Sequence, residues 1–146
     1  MRSFESTVDG ELERIRSERR DDPLAMPINP SDLELLATTR TIELTTIGRR
    51  SGKPSRIEIW WFYFEDGFII TGTPGSRDWL ANVRSDPAVI VHANDASYPG
   101  RATVVGDRAL RRRFFESSSA EVRWYGSQAD LDRLIEAAPM IEILFD

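Results

Sequence analysis

The chain contains no cysteine and a single histidine, His92, among its 146 residues. A disulfide framework, a thiolate zinc site and a cysteine nucleophile are therefore excluded, and so is any multi-histidine metal centre. A metal-free protein is expected. No stretch approaches the roughly 20 apolar residues that span a bilayer. The N-terminus, MRSFESTVDGELERIRSERRDD, is charged throughout and lacks the apolar segment of a signal peptide, so a cytoplasmic protein is expected. There is no G-x-S-x-G, no internal repeat and no low-complexity tract. A net charge of −5 argues against a general polyanion binder, so no nucleic-acid partner is expected. A small anion held at one place remains compatible with it.

What is present suits one domain with its own core: 40% of the residues are hydrophobic and four are tryptophan. Residues 1–30 read as an appendage. A helix with a thin apolar stripe fits Val8 to Arg20, and three prolines in DDPLAMPINP give an extended connector. Residues 31–146 read as the domain proper. Ser31 with Glu34 resembles a capping box for a short helix to Ala37. Strands are then expected at Ile42–Thr46, over the whole of RIEIWWFYF (Arg56 to Phe64), and at FIITGT after the turn Glu65-Asp66-Gly67. Asp78 is expected to cap a helix that Pro87 stops, followed by a strand at Ala88–Ala93. The segment NDASYPG reads as a turn and Arg101–Val105 as a strand. Helices open at Asp107 and at Ser127, and MIEILF closes the chain as a strand. Hairpins outnumber crossovers, which predicts a mainly β, α+β architecture: about six mostly antiparallel strands in a small barrel or curled sheet, flanked by helices.

In this net-acidic chain the stretch LTTIGRRSGKPSR, Leu44 to Arg56, carries four cations and no carboxylate. It is not a P-loop. Three residues, not four, separate Gly48 from Gly52, Pro54 stands where a hydroxyl is needed, and a strand follows instead of a helix. Anion binding needs less than that motif. Gly48 and Gly52 free the backbone, Ser51 offers a hydroxyl, and Arg49, Arg50, Lys53 and Arg56 bring charge. A solvated basic hairpin turn accounts for the same residues equally well. A nucleic-acid contact through Arg49 to Arg56 would need interleaved exposed aromatics, which the stretch lacks.

The order of the residues adds to this. Thr45-Thr46-Ile47-Gly48-Arg49-Arg50-Ser51-Gly52-Lys53-Pro54, a long aromatic strand, an Asp-Gly hairpin and Trp79-Leu80-Ala81-Asn82-Val83-Arg84-Ser85-Asp86-Pro87 follow one another. Together they resemble the deazaflavin-dependent nitroreductase and quinone reductase family, over roughly Thr41 to Asp107. The resemblance implies a split β-barrel that binds coenzyme F420 and moves a hydride from its reduced form to a quinone, nitroaromatic or activated alkene. Arg49, Arg50, Ser51, Gly52, Lys53, Pro54 and Arg56 would hold the coenzyme's phosphate and acidic tail. Thr71, Gly72 and Thr73 would run along the ring, Gly75, Ser76 and Arg77 would form the loop over the phosphate, and Trp79 and Asn82 would come from the following helix. Tyr125, beside Trp124, would be the catalytic hydrogen-bond or proton donor to the acceptor. Two departures stand out. Ser55 occupies the place of a basic residue common after the turn's proline, with Arg56 one step later on the other face of the strand. The loop TPGSRD has Arg77 as its only cation. An FMN-dependent barrel and a non-catalytic binder of the coenzyme or an apolar ligand are the alternatives, and a homodimer is compatible with the class. His92, in VIVHA, reads as a packed strand residue, and Glu58 as the ion-pair partner of a neighbouring arginine.

Overall fold

The computed structural model describes residues 28–146. The helix expected at Val8–Arg20 lies outside the described residues. From residue 30 onward the elements are α1 (Pro30–Ala37), β1 (Thr41–Ile47), β2 (Pro54–Trp60), β3 (Phe62–Phe64), β4 (Gly67–Thr71), α2 (Asp78–Ser85), β5 (Ala88–Ala93), β6 (Ala96–Val104), α3 (Arg108–Phe115), α4 (Ala120–Gly126), α5 (Leu131–Ala137) and β7 (Met140–Phe145). The seven strands form one sheet in the order β2-β1-β5-β6-β7-β4-β3, with every neighbouring pair antiparallel.

The two edge strands of that sheet are consecutive in the chain. RIEIWWFYF is not one strand: it breaks at Trp61 into β2 and β3. The Trp61 amide donates to Arg40 O at 2.9 Å and its indole N–H to Thr39 O at 2.8 Å, so the ring is pinned in the barrel while the backbone leaves the ladder. Because one segment supplies both edges, the sheet must curl until they approach each other. This is the split barrel expected from the sequence, with seven strands instead of about six.

Two apolar clusters follow from strand alternation. Inside the barrel, Ile42, Leu44, Phe68, Ile70, Val89, Val91, Ile141 and Ile143 meet Trp61, which stacks on Phe68 at 4.3 Å. Leu36 of α1 and Trp79 and Val83 of α2 complete this core. On the opposite face, Phe62, Ile69 and Met140 carry α3, α4 and α5 through Phe114, Phe115, Val122, Tyr125 and Leu134. The barrel core and the helical layer therefore share β4 and β7 as a common wall.

Several local expectations are corrected. Asn29, not Ser31, caps α1, its side chain accepting from the Ser31 amide. Asp78 is the first residue of α2, not its cap. The turn in NDASYPG shrinks to Asn94 and Asp95, with φ of 53° and 64°, and β6 already begins at Ala96. Ser127 ends α4, a helix the sequence reading did not separate, and Asp130 opens α5. Tyr63 is exposed although Trp61 is buried, because the break at Trp61 restarts the alternation. Glu58 is also exposed, and the neighbouring Arg56 pairs with Glu43 instead.

Candidate functional site

The site begins at the split. Phe62 opposite Ile69 is the last rung of the β3–β4 ladder. One more rung would set Trp61 against Ile70, and the next Trp60 against Thr71. Neither forms, because Arg40 takes both backbone groups of Trp61: its carbonyl accepts the amide and its guanidinium donates to Trp61 O at 3.0 Å. From that point β2 and the end of β4 are not paired to each other, and their unladdered edges form the split, or wedge, of the barrel. One wall is the β2 edge not paired to β1; the other is Ile70 to Thr73 on the side away from β7.

The basic turn lies at the end of β1 and β2. It is closed by Gly48 N–H to Lys53 O and Gly52 N–H to Gly48 O, both at 2.8 Å, with Gly52 at φ 72° where a side chain would be strained. Asn82 of α2 anchors the turn. Its Oδ1 accepts from the Arg49 amide and from Arg49 Nη1, each at 3.1 Å, and its Nδ2 donates to Thr46 Oγ1 at 3.1 Å. Arg49 also pairs with Asp78 at 3.3 Å. Asn82 is only 3% exposed, so its amide is engaged within the protein. Of the four cations in the stretch, Arg49 and Arg56 are paired with carboxylates. Arg50 and Lys53 are exposed and make no ion pair or hydrogen bond through their side chains to any described residue. Arg56 lies on the opposite face of β2 from Ser55, as its one-step displacement implied.

The loop after β4 is held by its own arginine. Arg77 Nη2 donates to Thr73 O at 2.9 Å and Thr73 Oγ1 at 3.0 Å, and Nη1 donates to Ser76 O at 3.0 Å. A Cβ at Gly72 would stand 3.0 Å from Arg77 Nη2, and one at Gly75, whose φ is 143°, 3.1 Å from Nη1. The two glycines therefore make room for the guanidinium, whose charge no carboxylate of the described residues neutralises. Thr71 is buried opposite Met140 of β7, and its hydroxyl donates to Pro139 O at 2.6 Å. Trp79, 6% exposed, packs in the barrel core.

One feature distinguishes α2 from the other helices. Side chains cap α1 (Asn29), α3 (Asp107), α4 (Ser119) and α5 (Asp130). The N-cap of α2 is Arg77, and no side chain of the described residues accepts from its first amides. Those amides carry partial positive charge and need an acceptor. Arg49, Arg77, Gly75 and Ser76 surround them in sequence and space. An anion with several oxygens would satisfy the arrangement, so the donor set fits a phosphate-bearing coenzyme.

At the other end of the wedge are aromatics. Trp60 and Trp124 meet edge-on at 6.2 Å, and both are exposed. Tyr125 packs against Trp124, Phe62 and Phe115. Burial holds its hydroxyl above the ordinary 10, against the opposing charges of Arg40 and Arg77. It is therefore a neutral donor at physiological pH. It has no hydrogen-bond partner among the described residues, yet it is not a sealed, unsatisfied group. Sequence reasoning missed Trp60 and Arg40. The unbroken strand expected at RIEIWWFYF gives no sign of the contact between Trp60 and Trp124.

His92 is a buried residue of β5, with Nε2 2.7 Å from Thr45 Oγ1 and Nδ1 2.9 Å from Ser97 Oγ. Burial, and then the charge of Arg56, hold it down to about 4, with Glu43 pulling the other way. It is a structural histidine. No group of three or more His, Cys, Asp or Glu among the described residues could hold a metal ion.

The model of the F420H(2)-dependent quinone reductase family matches residues 30–137. The chain belongs to this family. A search of curated proteins finds no match. Among solved structures, a conserved hypothetical protein of Mycobacterium tuberculosis superposes with a TM-score of 0.61 at 18% identity, covering 81% of each chain. An F420-H2-dependent reductase superposes with a TM-score of 0.54 at 18% identity, over 72% of this chain and 94% of that one. A chain described as a domain-swapped dimer gives 0.55 at 18% identity, over 95% and 98%. At such identities these likenesses speak for the fold, a split barrel. The family match adds F420H2-dependent reduction of a small-molecule acceptor.

Proposed function

We propose that the wedge between β2 and the end of β4 seats the deazaflavin ring, and that its anionic chain runs to the N-terminus of α2. Bound there, the reduced coenzyme supplies a hydride, and the protein supplies position, electrostatics and exclusion of water. The observation that carries the reading is the uncapped start of α2 between the Gly72–Arg77 loop and the anchored basic turn. Arg50 and Lys53, which are unpaired among the described residues, meet the phosphate and acidic tail. Arg49 shapes the turn by binding Asn82 and Asp78. Arg56 adds only long-range charge, since Glu43 holds it.

Trp60 and Trp124, exposed and in contact, would line the acceptor's way in. Tyr125 donates a hydrogen bond or a proton to the oxygen that gains negative charge, which a quinone, a nitroaromatic or an activated alkene conjugated to a carbonyl would present. Among the described residues no helix is long and apolar enough to cross a membrane. A cytoplasmic homodimer is part of the proposal, to be checked by sedimentation of the purified chain.

Titration of the protein with F420 and with FMN, followed by quenching of tryptophan fluorescence, tests the cofactor. Reduced F420 with menadione then tests turnover. Saturable F420 binding with menadione reduction is expected. Preference for FMN would overturn the cofactor assignment. Tight F420 binding without reduction of any acceptor in a broad panel would leave a coenzyme-binding protein and not a reductase.

A further inference from the structure

Helix α2 has a second cationic side. Its Asp78 and Asn82 face the basic turn, whereas Leu80 and Arg84, one turn apart on the opposite side, line a cavity of about 700 Å³. The far wall is built from the end of β6, the start of α3 and the end of α5, and includes Arg108, Arg111 and Glu136. The volume falls in the range of small-molecule sites. Three arginines against one carboxylate give it net positive charge inside a chain whose total is −5.

The three arginines differ in availability. Arg111 is 7% exposed and fixed: Nε donates to Ile135 O at 2.6 Å, Nη1 to Val105 O at 2.9 Å, and Nη2 to Ala138 O at 2.5 Å and Leu134 O at 3.4 Å. All these acceptors are neutral carbonyl groups, and no carboxylate of the described residues forms an ion pair with it. Arg108 is engaged by Glu136. Arg84 makes no ion pair or hydrogen bond through its side chain to any described residue. Its guanidinium is free to close on a ligand. Between these charges the lining is aliphatic, with Leu80, Val104, Ile135 and Met140.

We propose that this cavity is a carboxylate site, separate from the wedge, that takes an aliphatic molecule bearing two or more carboxylates. Arg84 grips one carboxylate from α2, and Arg111 with Arg108 attracts another from the opposite wall. Positive charge on facing walls with an apolar floor fits spaced carboxylates joined by methylenes better than one compact phosphate. Gly75 and Ser76 line the cavity and also belong to the loop beside the start of α2. The distal carboxylates of a coenzyme tail whose proximal part meets Arg50 and Lys53 would cross that loop and enter; a free oligocarboxylic acid would present the same chemistry. Only the tail as source rests on the coenzyme reading.

The test uses the full chain without cofactor and tricarballylate, a three-carboxylate aliphatic probe, in a calorimetric titration at low ionic strength. Saturable binding is expected. Arg84→Gln should weaken it about tenfold or more, since hydrogen bonds to charged groups are at stake. Glu136→Gln should tighten it, because the competing carboxylate on Arg108 is removed. Arg50→Ala should leave it unchanged. No saturable binding by the wild type, equal affinity in Arg84→Gln, or a loss in Arg50→Ala as large as in Arg84→Gln overturns the site, and none of these bears on the reductase reading. A second arm compares F420 with its tail-less form by fluorescence. If Arg84→Gln removes the affinity difference between them, the site holds the tail. If the two forms bind the wild type equally while tricarballylate still binds, the site holds a free acid.

Discussion

Replacing Asn82 with alanine separates two roles that the residue could play. Its amide makes three hydrogen bonds, two to Arg49 and one to the buried Thr46 hydroxyl, all at 3.1 Å. A neutral bond of this kind contributes about 1 kcal/mol net. The bond from the Arg49 guanidinium is charge-assisted, but that side chain is 32% exposed, so screening brings it down to about the same value. Truncation also leaves Thr46, 1% exposed, without its donor. The expected loss is about 3 kcal/mol, which lowers Tm by roughly 10 °C for a domain of this size. The turn would detach from α2, and cofactor affinity would fall as a consequence. Urea denaturation of the cofactor-free protein measures the first effect and fluorescence titration the second. A double-mutant cycle with Arg49→Ala should show coupling of about 1 kcal/mol or more. If cofactor-free Asn82→Ala loses less than about 0.5 kcal/mol while cofactor binding collapses, Asn82 is a direct ligand contact and the anchoring argument is wrong.

The remaining predictions concern single groups. Arg50→Ala and Lys53→Ala should each weaken F420 binding about tenfold and reduce its salt dependence, with unchanged urea midpoints, because neither side chain is paired to any described residue; unchanged Kd values would remove them from the site. Tyr125→Phe should cut acceptor turnover while leaving F420 affinity and Tm nearly unaltered. The wild-type rate should show no tyrosine ionisation below pH 10, since burial raises that group. For His92 the folded value of about 4 lies below the ordinary 6.5, so the folded state binds fewer protons. Stability is then full above pH 6.5 and is lost as pH falls toward 4, by about 2 kcal/mol between pH 6.5 and 5. Denaturation at stepped pH checks this, and His92→Gln should flatten the profile in that window. Arg111→Met should destabilise by about 3 kcal/mol or more, because it strands the carbonyls of Val105, Ile135 and Ala138; a neutral outcome in denaturant melts would refute that account.

By itself the sequence determined where most strands, the Glu65-Asp66-Gly67 hairpin and the basic turn fall, because these depend on local chemistry. Alternation and β-branched runs act within a few residues, and Glu65-Asp66 is a turn wherever it falls. The order of GRRSGKP and WLANVRSDP likewise pointed to the family later matched over residues 30–137. Tertiary structure decided the rest. RIEIWWFYF has the propensity of one unbroken strand, and nothing in it marks Trp61 as the break; that depends on Arg40, which lies 21 positions earlier and captures both backbone groups of Trp61. The division of the cations is just as remote. Composition treats Arg49, Arg50, Lys53 and Arg56 alike, yet Asp78 and Glu43 take two of them, and no described residue pairs with the other two. A carboxylate's reach across the sheet or to a helix is set by register and packing, and a linear pattern carries neither.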